Sequence, residues 1–165
     1  MVEPTDSARS DDEAALVRYA TALADAADDA LGPWVRRCVA RVADAWRPGT
    51  SADVAEATDQ AADAAREEIG RQLRTLLDTD VDQQRTGPLA VLRSGVRFPT
   101  AVLRAAGVPP VAREAFAQQA FPDDVYDLAP ASFADVDPAL HEPGLVWGAA
   151  KAHVVLARRR AEGMR

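Results

Sequence analysis

The residues best equipped for chemistry are Asp123, Asp124 and Asp127, followed by His141 and Glu142. Carboxylates beside an imidazole can hold a hard or borderline divalent metal. The same aspartates sit among prolines, however, where aspartate is favoured as a turn former and cap without any metal. The chain has neither an HExxH pair nor a calcium-loop spacing with its glycine, so the expectation is no metal and no cofactor.

A second group is basic: Arg93, Arg97 and Arg104, near helix starts expected at Pro88 and Pro99. Guanidinium groups next to exposed helix-start amides can bind a phosphate or a partner's carboxylate. The plainer expectation is that they pair internally with Asp123, Asp124 and Asp127, which would satisfy both clusters at once. No phosphate-binding glycine loop is present, since GxxxxGK[ST] and GxGxxG are both missing.

Nucleophilic catalysis has few players. Ser94 and Ser132 lack a strand-to-helix elbow, Cys38 falls in an apolar helix stripe, and His153 stands between Ala152 and Val154. Trp147, Phe133, Tyr126 and His141 are candidate pocket residues, although core packing is the ordinary role of large aromatics. Arg158, Arg159 and Arg160 complement the negative end of a final helix.

These residues must be held by helices. Across 165 residues, 48% are hydrophobic and only 5% aromatic, with alanine filling much of the apolar fraction. That composition suits closely approaching helices, and the length suits one domain with a real core. The net charge of −7 argues against polyanion binding, so no nucleic-acid partner is expected. Charge is uneven: residues 1–84 hold nine arginines against 18 acids, a net −9, and residues 85–165 carry a net +2. The start, MVEPTDSARSDDEAA, is acidic and has no apolar signal core. No apolar run approaches the ~18–20 residues that span a bilayer. The expected setting is cytoplasmic, with no membrane partner.

Read in order, residues 1–10 form a disordered lead-in and residues 11–165 a single all-α domain. Within it, residues 11–77 make a helical arm and residues 86–165 a compact, proline-rich helical body. A capping-box spacing at Ser10 and Glu13 opens a helix from Asp11 to Leu31, with Leu16, Tyr19, Leu23, Ala27 and Ala30 on one face. Gly32 is expected to end it and Pro33 to begin a second, running to Trp46. In that helix Arg36, Arg37, Arg41 and Arg47 lie outside the apolar stripe and are expected to pair with the acidic neighbouring helix.

After the turn Arg47-Pro48-Gly49-Thr50, Ser51 is expected to cap a long helix to Leu77 with Val54, Ala57, Ala61, Ala65, Ile69, Leu73 and Leu76 inward. Residues 78–85 read as a polar linker. Short helices then start at Pro88 and Pro99, and a further one after Val108-Pro109-Pro110 carries Val111, Ala115, Phe116 and Ala120. Asp137-Pro138 and Glu142-Pro143 are cap-plus-proline starts. A last helix to Glu162 is expected to turn Val146, Ala149, His153 and Leu156 inward. The alanine-rich arm is the expected interaction surface, unless its stripe covers the core of the body.

Three segments, RFPTAVLRAAGVPPV, FPDDVYDL and HEPGLVWGAAKAHV, resemble blocks of an uncharacterised family of small actinobacterial proteins. The resemblance covers roughly the second half of the chain and implies no activity and no functional residue. The residues themselves point to a non-catalytic helical protein acting on another protein or a second copy of itself. The alternative is a small-molecule-binding or catalytic helical domain with a pocket lined by residues 86–150.

Overall fold

The computed structural model describes the backbone of residues 6–78 and 87–164, and the side chains of residues 11–76 and 87–164. Residues 1–5 of the expected lead-in, residues 79–85 of the expected linker, and Thr86 at the start of the expected body lie outside the described residues. The described chain is all helical, with no strand. It comprises α1 (Asp6–Trp46), α2 (Thr50–Asp53), α3 (Ala55–Asp78), α4 (Pro88–Ser94) and α5 (Arg97–Ala105). After these come α6 (Ala115–Ala120), α7 (Phe133–Val136), a 3₁₀ turn at Pro138–Leu140 and α8 (His141–Gly163).

The largest departure from expectation is α1. It runs unbroken for 41 residues, already helical at Asp6 rather than from Asp11, and carries Pro33 inside it. An interior proline forfeits the bond from its own nitrogen to the Asp29 carbonyl, and its ring crowds the preceding residue. Here that preceding residue is Gly32, which has no Cβ to collide with. The flanking Leu31, Trp34 and Val35 are all buried, and their packing outweighs the lost bond.

Along α1 the interior stripe is Leu16, Ala20, Leu23, Ala27, Leu31, Val35, Val39 and Val42. Facing it, α3 offers Thr58, Ala62, Ala65, Ile69 and Leu73. This seam is one position out of phase with the expected one over its first half, where Ala57 is exposed. Ser51 does not cap the helix. Its N–H and hydroxyl both donate to the Asp44 carboxylate, at 2.9 and 2.6 Å, so α1 reaches across the turn to hold α2. Gly49, at φ 89°, makes that turn possible.

The core continues through Leu92, Leu103, Val136, Leu140 and Trp147, so one interior draws on both halves of the chain. The apolar stripe of α1 is therefore interior. α5 ends in a paired-bond glycine stop: the Gly107 N–H donates to the Arg104 carbonyl and the Val108 N–H to that of Leu103. Gly107 has φ 76°, a conformation costly for any residue with a Cβ.

α8 is rotated relative to expectation. Its buried residues are Gly144, Trp147 and Val154, whereas Ala149, His153 and Leu156 are exposed. Two side-chain contacts tie it to the start of α1: His153 Nε2 lies 3.1 Å from Asp12, and Arg158 donates to Glu13 at 2.8 Å.

Candidate functional site

The arginines and aspartates do not pair with each other, contrary to expectation. Arg93 instead donates to two backbone carbonyls, Pro130 at 2.9 Å and Ala131 at 3.2 Å, and lies over the Phe121 ring. Arg97 pairs with Glu68, tying α5 to α3, and stacks on Phe98. Arg104 is exposed. The physical reason is supply: the proline-interrupted stretch has carbonyls without helix partners, and a guanidinium fork satisfies them. Two residues of the expected arginine cluster on α1 do the same. Arg37 donates to the Val136 carbonyl and Arg41 to that of Asp127, while Arg36 pairs with Asp59 of α3 as expected.

The three aspartates have three separate fates. Asp123 is exposed. Asp124 is buried, and its carboxylate accepts from the Leu128 N–H at 2.8 Å and the Ala129 N–H at 2.7 Å. It replaces the helix bonds this segment cannot make. Asp127 adopts φ 58°, the only left-handed non-glycine conformation among the described residues. Aspartate tolerates that region better than most residues.

Of the expected pocket residues, Phe133 lies against the backbone of Gly144, and Trp147 is buried with the Lys151 ammonium 5.0 Å over its ring. Tyr126 is buried and its hydroxyl donates to the Val108 carbonyl at 2.6 Å. Burial pushes the phenol's pKa up, against the weaker pull of the Arg104 charge. His141 is exposed at the start of α8.

Of these candidates, Tyr126 and Asp127 come together in a cleft. It has a volume of about 430 Å³ and lies between the second half of α1 and the Val108–Val111 corner. Arg41 and Trp46 line one side, Pro109, Pro110 and Val111 the other. The cleft lining contains no histidine, cysteine or serine, and the one hydroxyl is already committed to a carbonyl. It can receive an apolar group beside a guanidinium; it presents no nucleophile with an adjacent base. Among the described residues no group of three or more His, Cys, Asp or Glu side chains is arranged to hold a metal ion. No described helix is long and apolar enough to cross a membrane.

From the rim of that cleft the chain enters a segment whose exposure was not anticipated. The Val111 N–H donates to the Val125 carbonyl, and α6 follows without a single buried residue. Its Phe116 is 80% exposed, and Val111 and Phe121 on either side are each 39% exposed. The segment is nonetheless held: Arg113 donates to the Phe121 carbonyl at 2.9 Å, and Gln118 to that of Arg113 at 2.9 Å. A signal was present in the sequence. Phe116 has only Arg113, Ala112, Gln119 and Ala120 at helical spacing, so it belongs to no bulky apolar stripe.

No protein-family model, curated protein or solved structure matches the chain.

Proposed function

We propose that this is a non-catalytic helical protein acting through protein contacts, as an adaptor, regulator or assembly factor, with α6 and its flanks as the contact surface. The observation that carries this reading is Phe116, a large aromatic 80% exposed on a helix that buries nothing of its own. A free aromatic ring on a braced segment is costly to leave in water and efficient as an anchor, because little conformational entropy remains to be lost. The partner is a protein with an apolar socket sized for one aromatic ring. The cytoplasmic setting expected from the sequence belongs to the same proposal.

The alternative small-molecule reading has less support. The cleft between α1 and the Val108–Val111 corner holds neither Arg93 nor Arg97, and its tyrosine hydroxyl has a backbone partner.

Affinity capture from the native cell, with wild type and Phe116→Ala in parallel and quantified by mass spectrometry, tests the proposal. A partner retained by wild type and depleted at least about tenfold by the variant, at unchanged melting temperature, is the expected result. Identical captured sets from both proteins would overturn it.

A further inference from the structure

We infer that the outer face of α8 pairs with the same face of a second copy of this chain, antiparallel, about a two-fold axis midway between Ala149 and Ala152. This surface is on a different helix from Phe116, and the inference stands apart from the function proposed above.

The observation begins with spacing. The inward face of α8 carries Gly144, Trp147 and Val154. On the opposite side lie Glu142, Leu145, Ala149, Ala152, Leu156 and Arg159, all exposed. Successive steps between them are three, four, three, four and three residues, the alternation of a two-helix seam. Leu145 is 58% exposed and Leu156 52%, so each leaves much of its side chain in water. Among the described residues nothing covers this stripe.

The order of residue types along the stripe is acid, leucine, alanine, alanine, leucine, base. Turned end for end, it presents the complement of itself. Glu142 of one copy then faces Arg159 of the other, Leu145 faces Leu156, and Ala149 faces Ala152. The second half of the seam repeats these pairings by symmetry, as an isologous interface requires. A parallel arrangement would instead set Glu142 against Glu142 and Arg159 against Arg159, with like charges at both ends. The two central alanines let the helix backbones approach closely, and the leucines at either side close over the gap. Glu142 and Arg159 make no ion pair among the described residues, so each is available to the other copy. One helix pair makes a small interface, and the dimer is accordingly concentration-dependent.

Sedimentation equilibrium on the full chain, from about 1 μM to about 500 μM, reads the association directly. The expected result is a weight-average mass rising from one chain toward two. Glu142→Arg and Arg159→Glu should each abolish the rise. The double charge swap should restore it, because every facing pair is again opposite in sign. Both positions are solvent-exposed, and unchanged circular dichroism will show that the variants fold.

Register is tested by cysteine exchange. An equimolar mixture of Glu142→Cys and Arg159→Cys should form a disulfide between copies, while neither variant should do so alone. In the antiparallel seam two copies of the same position stand about 26 Å apart. A chain that stays monomeric at every concentration would overturn the inference. So would association indifferent to both charge reversals, or disulfides formed by either single variant alone.

Discussion

Phe133 rests directly against the backbone of Gly144: a Cβ placed on Gly144 would stand 2.3 Å from Phe133 Cδ2. This contact fixes the approach of α7 to the start of α8, because only a residue without a side chain lets the ring come so near. Four residues on, a Cβ on Gly148 would meet nothing within 4 Å. The two glycines should therefore respond oppositely to alanine. Gly144→Ala should cost about 1–3 kcal/mol through overpacking, and Gly148→Ala should gain up to about 1 kcal/mol through helix propensity. Urea midpoints at low protein concentration check both signs; a stabilised Gly144→Ala would mean that the Phe133 ring moves away freely.

Asp124 should prove structural and Asp123 dispensable. Asp124→Ala strands the buried Leu128 amide and the half-buried Ala129 amide, and a buried unpaired donor costs about 1–3 kcal/mol. Asp123→Ala, at an exposed position, should change stability by less than about 0.5 kcal/mol. Equal effects from the two substitutions, measured by denaturant unfolding, would contradict this assignment.

Cys38 provides a pH test. Burial pushes its thiol from an ordinary value of 9.0 to about 11, against smaller opposing pulls from Arg41 and Arg37. A raised folded value means that the folded state holds the proton more tightly. The associated stability is present below pH 9 and is lost as pH rises toward about 11. The slope is about 1.4 kcal/mol per pH unit at most. Cys38→Ala should flatten the decline in that window, as followed by urea unfolding between pH 8 and about 11. In the native protein at pH 8, a thiol reagent should react slowly and speed up on unfolding.

Gly70 and Asp28 should be coupled. A Cβ on Gly70 would meet the Asp28 carboxylate at 2.3 Å, the same carboxylate that Arg74 grips from α3. Gly70→Ala alone should give little of the usual helix-propensity gain, because Asp28 must shift. In an Asp28→Ala background it should be stabilising by up to about 1 kcal/mol. A double-mutant cycle measures this difference, and simple additivity would show that Asp28 yields without strain.

How much of this was legible varies with the kind of signal. Alanine-rich three- and four-residue spacing fixed the helical class, and Gly107 and the Asp137-Pro138 start were read correctly because their chemistry is local. Gly32-Pro33 misled, since the pair that ends one helix and opens another is also the pair that best tolerates proline inside a helix. The inward face of α8 was ambiguous because apolar residues occupy two opposite sides, and the packing of Trp147 and Val154 and the close approach of Phe133 to Gly144 are tertiary contacts that distinguish them. The partners of Arg37, Arg41 and Arg93 are backbone carbonyls, which carry no residue-type signature. The cleft was half visible: Tyr126 and Asp127 were candidates, but Arg41 and Trp46 come from a helix some 80 residues earlier.

The most direct test of the central claim replaces Phe116 with a photo-crosslinking phenylalanine analogue. The same analogue at exposed Glu56 serves as control. Irradiated in the native cell, the position-116 protein should join covalently to one dominant partner, and the position-56 protein should not. Excess untagged wild type should compete the product away, whereas excess Phe116→Ala should compete at least about 30-fold less well, in keeping with an anchor contributing about 2 kcal/mol. A ladder of products identical at both positions, or full competition by Phe116→Ala, would show that the exposed ring is not a contact and that the proposed function is wrong.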